Sequence, residues 1–145
     1  MVGKRGRMGR KSGGGMYAYR QDGKREGLWQ GLGEIWPVAD DQPSLEDVQN
    51  RLMMAQSLEA VRALEEGVLM DIREGDVGAI LGWGFAPWSG GPLSWLDMIG
   101  AAKAKEICDD LTARYGERFT TPALLNDMAG KEERFYGRFA PAEAA

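Results

Sequence analysis

Few side chains in this sequence could do chemistry, and the missing ones exclude the most. There is no histidine among its 145 residues and one cysteine, Cys108. Without histidine, the commonest general base, the commonest metal ligand and every nucleophile–His triad are absent. With one cysteine, an internal disulfide and a multi-cysteine metal site are absent as well. Cys108 falls on an apolar stripe, where a thiol serves as a small hydrophobe. The adjacent acids Glu65-Glu66, Asp109-Asp110 and Glu132-Glu133 point in different directions on a helix, so they read as solvated faces rather than paired catalytic acids. Asp97 stands apart beside Trp95, Leu96 and Met98: a buried acid needs hydrogen-bond donors, and Asp97 is expected to bond the backbone of the glycine-rich loop that precedes it. Met53, Met54, Met70, Met98 and Met128 read as packing residues rather than a ligand set. No catalytic, cofactor-binding or metal-binding residue is therefore assigned.

Two glycine clusters have the look of phosphate loops. Gly82-x-Gly84 followed by Gly90-Gly91 would need a third glycine at position 87, where Pro87 stands, and a preceding β-strand, where the pattern is helical. Gly9-Arg10-Lys11-Ser12 shares only the last residues of a phosphate-loop motif. The stronger reading of the first cluster is structural. Gly84, Gly90 and Gly91 would permit backbone conformations or close approaches that a Cβ obstructs, while Trp83, Phe85 and Trp88 pack around them and fill a core or an interface.

The elements that must hold this loop are helical. Ser44 with Asp47 approximates a capping box. Leu45, Val48, Leu52, Ala55, Leu58, Val61, Leu64 and Val68 then recur every three or four residues, predicting one long helix of about 25 residues, roughly 35–40 Å, that weakens at Gly67. Asp76 is expected to cap a short helix carrying Val77, Ile80 and Leu81 and closed by Gly82. Pro92 suits the first position of a helix with Leu93, Leu96 and Ile99 on one face and Gly100 after it. Ala104, Ile107, Cys108, Leu111 and Tyr115 form the stripe of the next helix, ended by Gly116. Thr121-Pro122 restarts a helix with Leu124, Leu125 and Met128, ended at Gly130. The reading from Ser44 onward is all-α, a helical bundle.

Before Ser44 the chain is different. Residues 1–25 hold eight bases and one acid, whereas the rest holds ten bases and twenty-one acids. Glycines and prolines punctuate residues 1–43, and only Met16–Tyr19 reads as extended, so the segment is expected to be irregular. A basic arm on an acidic body admits a small helical binding protein that uses the arm on nucleic acid or another acidic partner. With 43% hydrophobic and 28% charged residues, no long apolar run and no secretory leader, the chain is expected to be soluble and cytoplasmic, with no membrane span.

The stretch Gly82-Trp83-Gly84-Phe85-Ala86-Pro87-Trp88-Ser89-Gly90-Gly91-Pro92, continued by Asp97 and Gly100, resembles the GxGFPPxxGGPxxxxDxxG pattern of multifunctional 3-hydroxyacyl-CoA dehydrogenases of the fatty acid oxidation complex α-subunit type. It follows a helix end, Leu58 to Gly67, similar to the family's NEAxRxLEEG. Gly9 to Tyr19 resembles the GRKTGxGFYDY that ends the family's preceding helical repeat, and Tyr115 to Phe119 fits its YGxRF stretch. Ala86 replaces a proline, and Ser57-Leu58 departs from the usual residues before Glu-Ala. Asn50-Arg51 matches a pair whose asparagine assists catalysis in the first repeat. This chain resembles the second repeat, so that role is not carried over.

The resemblance implies a C-terminal helical domain of an NAD-dependent oxidoreductase of fatty acid β-oxidation. Residues 1–43 become the tail of a preceding repeat plus a linker, 44–137 the helical domain, and 138–145 a flexible tail. The Rossmann and enoyl-CoA hydratase domains, NAD and acyl-CoA would belong to the full-length enzyme, with this chain inactive alone. Packing on those domains, or self-association through an exposed apolar face, would be its work. Gly82, Gly84, Phe85, Pro87, Trp88, Gly90, Gly91, Pro92, Asp97 and Gly100 are its candidate structural motif.

Overall fold

The computed structural model describes residues 2–140, which form two units divided between Gln42 and Pro43. The first unit is more regular than its glycine content predicts. After a short helix α1 (Val2–Arg5) and a 3-10 turn at Arg10–Ser12, strand β1 (Tyr17–Tyr19) pairs antiparallel with β2 (Arg25–Leu28), and helix α2 (Leu32–Ile35) follows. Tyr17 faces Leu28 and Tyr19 faces Arg25, with Glu26 bulged between the pairs. The expectation of an irregular segment thus missed a small hairpin. Part of its cohesion comes from Arg7, whose Nε donates to the Gly15 carbonyl (2.8 Å) and whose guanidinium lies 4.2 Å from the Trp29 ring centre. A Cβ on Gly14 would sit 2.6 Å from that guanidinium, so the glycine makes room for it.

The second unit is helical. Helix α3 (Leu45–Glu65) starts where Ser44 Oγ accepts the Asp47 N–H at 3.1 Å. It stops three residues short of Val68, because Gly67 turns left-handed and the Val68 and Leu69 amides fold back onto the Ala63 carbonyl. Its buried face runs through Asp47, Met54, Ser57, Leu58 and Val61, whereas Leu45, Leu52 and Val68 of the expected stripe are exposed. Helix α4 (Ile72–Trp83) is capped by Asp71, not Asp76, and continues past Gly82 to a left-handed Gly84. Val77 and Leu81 point outward on it.

Helix α5 (Pro92–Ile99) is the centre, packing against α3, α4 and two later elements, α6 (Ala101–Tyr115) and α8 (Phe135–Arg138). Leu93, Trp95 and Leu96 of α5 meet Ala104, Cys108 and Leu111 of α6 in one core. Helix α7 (Ala123–Lys131) adds Leu125 and Met128. It passes through Gly130 and is closed instead by Glu132 in the left-handed region. Met54 and Met128 are fully buried, but Met70 and Met98 are exposed, so only part of the methionine set packs. The expected tail from 138 begins too early: Arg138 pairs with Asp127 and Glu133, and Phe139 packs on the core. Residues 141–145 lie outside the described residues.

Candidate functional site

The glycine-rich stretch is positioned by an acid that the sequence reading assigned elsewhere. Asp76 sits mid-way along α4, 2% exposed. Its carboxylate accepts the Leu93 N–H (2.7 Å), the Ser94 N–H (3.0 Å), the Ser94 hydroxyl (2.6 Å) and the Tyr136 hydroxyl (2.9 Å). Asp76 is therefore the cap of α5 rather than of its own helix: Gly91-Pro92 brings no capping side chain, and the first amides of α5 need an acceptor. That gap was a readable signal. Burial pushes the Tyr136 hydroxyl's pKa up, with further contributions from this contact.

The rest of the motif serves the same joint. Gly82 lies in the last turn of α4, and Gly84 closes it at φ +78°. Phe85 is buried, and Pro87 opens a single 3-10 turn that runs to Ser89. Gly90 (φ +80°) and Gly91 (φ +122°) then lead into Pro92. A Cβ on Gly91 would fall on the Asp76 side chain, so glycine is required there by space as well as by backbone. Gly100, at φ +85°, separates α5 from α6.

Two expectations for this motif fail. Trp83 and Trp88 do not fill a core, which leaves only the interface half of that reading: they are 65% and 72% exposed, because the glycine turns direct Phe85 inward and the indoles outward. Asp97 does not brace the loop either. It accepts the Phe135 and Tyr136 N–H groups at 2.6 and 2.9 Å, capping α8 at the opposite end of α5. One helix thus receives a carboxylate at its start and lends one from its end.

The loop's geometry does not suit a dinucleotide. Helix α4, not a strand, precedes it, and the N-terminal amides of α5 already hold a carboxylate where a pyrophosphate would need to sit. Cys108 is buried, and burial pushes its thiol up to about 11, well away from nucleophilic thiolate chemistry. No three-residue cluster of potential metal ligands occurs among the described residues. A second buried acid, Asp47, joins the two ends of the bundle's long helices. It accepts the Tyr115 hydroxyl at 2.8 Å and pairs with Arg114, contacts that hold its carboxyl below the usual value against the opposing effect of burial. Sequence reasoning gave Asp47 only its capping place.

Beside the joint lies an open groove of about 530 Å³ between α3 and α4. Its floor is small and apolar: Ala55, Ala60, Ala63, Gly75, Gly78 and Ala79. Trp83, Val68 and Leu69 wall it, and Trp83 Nε1 donates to Gln56 across it at 3.0 Å. Open space stands where a Cβ of Gly78 or Gly82 would go. Glycines inside a helix cost roughly 1 kcal/mol each relative to alanine, and no neighbour among the described residues offsets that cost at these two.

No helix among the described residues is long and apolar enough to cross a membrane. Residues 48–138 match the family described as "3-hydroxyacyl-CoA dehydrogenase, C-terminal domain". Relatives include the fatty acid oxidation complex subunit alpha of Shewanella amazonensis, 38% identical over 135 residues, and that of Vibrio cholerae, 37% identical over 130. Each comparison covers 90% of this chain but only 19% and 18% of the relative, so the chain spans about a fifth of the length of the curated relatives it matches. The pattern at 82–100, the capped joint it builds and these matches have one meaning: the chain belongs to the family of 3-hydroxyacyl-CoA dehydrogenase C-terminal domains.

Proposed function

We propose that this chain acts as a non-catalytic helical domain of an NAD-dependent 3-hydroxyacyl-CoA dehydrogenase of fatty acid β-oxidation, and that it packs on the rest of that enzyme through the α3–α4 groove. The groove is the observation that carries the reading. Its small-residue floor lets a helix backbone approach closely, and exposed Trp83 and Val68 supply apolar walls. Its occupant is an apolar-faced helix from the part of the enzyme that these 145 residues do not cover. Hydride transfer would take place there too, since a general base and a nicotinamide site are needed and this chain has neither a histidine nor a fitting loop. NAD and acyl-CoA would be held by those other domains, with this domain bracing the cleft.

The test uses the Shewanella amazonensis α-subunit truncated before the region that this chain matches. The chain added in trans should bind it, with a blue shift of tryptophan emission that Trp83→Glu removes, and should give no NADH from a 3-hydroxyacyl-CoA by itself. Gly78→Leu and Trp83→Glu should weaken binding at least tenfold without lowering the chain's own unfolding midpoint, which Gly78→Leu should raise slightly. Binding that ignores both substitutions, or no binding at all, would overturn the packing role.

A further inference from the structure

We infer that the concave pocket between Arg10, Tyr19 and the Gly23–Arg25 turn is a binding site for a small phosphate monoester. It is an open concavity of about 340 Å³, lined by Arg10, Tyr19, Gly23, Lys24 and Arg25, with no carboxylate in its lining. It lies wholly within residues 2–42, so it stands independently of the groove and of the function proposed through it.

The fold brings these cations together from two separate segments. Arg10 opens the 3-10 turn that Gly13 closes, while Lys24 and Arg25 come from the far side of the hairpin. The hairpin turn is held by Arg20 N–H to Lys24 O and Gly23 N–H to Arg20 O, both 2.9 Å. A Cβ on Gly23 would stand 3.6 Å from the Arg10 guanidinium, so the arginine lies over the turn. Arg25 is steadied by stacking 4.7 Å from the Tyr17 ring centre. Asp22 spends one carboxylate oxygen on the turn itself, accepting the Lys24 N–H at 3.0 Å, and reaches the side chains of its neighbours only at long range, 3.8 Å to Arg20 and 4.0 Å to Lys24.

Asp22 offsets part of the Lys24 charge from outside the concavity, but no carboxylate lines it, so the three cations there repel one another unless an anion enters. Two guanidinium forks and an ammonium match the charge and oxygens of a phosphate monoester better than they match a single carboxylate. Arg7 shows the contrast within the same unit: its donors are taken by the Gly15 and Tyr17 carbonyls and its face by Trp29. The basic arm is thus divided between structural and available bases. A nucleic-acid surface would instead spread its bases along a strand-length track with stacking rings.

The experiment is an amide NMR titration of the full chain with inorganic phosphate at constant ionic strength, beside Arg10→Gln, Lys24→Gln and a distant control, Lys103→Gln. The expected result is saturable shifts confined to Arg10, Tyr19 and Gly23 to Arg25, with a Kd of about 1 mM or tighter. Arg10→Gln should weaken binding at least tenfold, and Lys103→Gln should leave it unchanged. If Arg10→Gln disturbs the hairpin signals, Lys24→Gln reads the site in its place, with a loss of at least threefold expected. Shifts that spread over all the bases and follow ionic strength alone would overturn the assignment. So would tight binding of a single-stranded oligonucleotide whose loss is shared equally by Lys4, Arg5 and Lys11 variants.

Discussion

Replacing Asp76 by alanine should be among the most damaging single changes available in this chain. The carboxylate serves four donors, but they are not equivalent. The Ser94 hydroxyl can rotate, and the Tyr136 hydroxyl belongs to a side chain at the edge of exposure, so both can find water. The Leu93 and Ser94 amides cannot, because they open α5 beneath the loop and have no earlier helical turn to bond. A hydrogen bond to a charged group is worth about 1.5–3 kcal/mol, and stranding two such donors should cost about 3–5 kcal/mol in total. That is a large share of the 5–15 kcal/mol or so that holds a domain folded. Asp76→Asn keeps one acceptor oxygen but turns an amide toward the other donors, so it should cost about half as much.

Urea unfolding followed by circular dichroism measures this directly, with two internal standards. Phe85→Ala empties a buried site and should cost about 3–5 kcal/mol. Trp88→Ala, at a ring 72% exposed, should stay within about 0.5 kcal/mol of the parent. If Asp76→Ala unfolds with Trp88→Ala rather than with Phe85→Ala, the acid is not what holds the joint, and the account of the 82–100 motif is wrong.

Three further outcomes follow from the same geometry. Gly91→Ala should destabilise strongly, since its Cβ would collide with Asp76 from a φ of +122°; the double variant with Asp76→Ala should cost less than the sum of the two, as measured by a double-mutant cycle. Cys108, buried and with its thiol pushed up to about 11, should react with an alkylating reagent near neutral pH only as fast as the domain opens, and urea should accelerate it. Asp47 and Asp127 are held below the ordinary 3.8, by hydrogen bonds first from Tyr115 and Arg138 respectively. Their contribution to stability is therefore complete above that value and is lost as the pH falls below it, so Asp47→Asn should flatten the acid limb of the stability–pH curve.

What the sequence made legible is local, and what it hid is remote. The Ser44 cap, Pro92 at a helix start, the glycine ends at Gly100 and Gly116 and the Ala104–Leu111 stripe each depend on residues within a few positions of one another, and each stands where periodicity and capping chemistry put it. The α3 stripe was harder to orient. Leu52 and Met54 both fit an apolar period, and only the packing of other helices on α3, among them α6 with Cys108 Sγ 3.8 Å from Met54 Sδ, decides that Met54 goes inward while Leu52 faces outward. The first unit's hairpin was obscured for a related reason: its strands are three and four residues long, too short for alternation to show, and an arginine on a tryptophan contributes to what an apolar core would otherwise supply.

The acids show the limit most clearly. Asp76 and Asp97 both looked like local devices, one a cap for its own helix and the other a brace for the loop beside it. Each in fact reaches across the bundle, Asp76 over 17 residues to Leu93 and 60 to Tyr136, Asp97 over 38 to Phe135. Helices that start at Gly91-Pro92 or after Arg134 have no polar side chain of their own to satisfy the first amides, so the acceptor must come from elsewhere. Two carboxylates, Asp76 buried and Asp97 half-buried, can meet that need at the two helix starts only if α4, α5 and α8 already stand in their final arrangement. The two acids therefore do not so much start helices as fix their mutual placement. That is why the residues of the family pattern fall at 82–100: glycines open the space at Gly91, Asp76 fills it, and Asp97 ties the far end of the same helix to the last one.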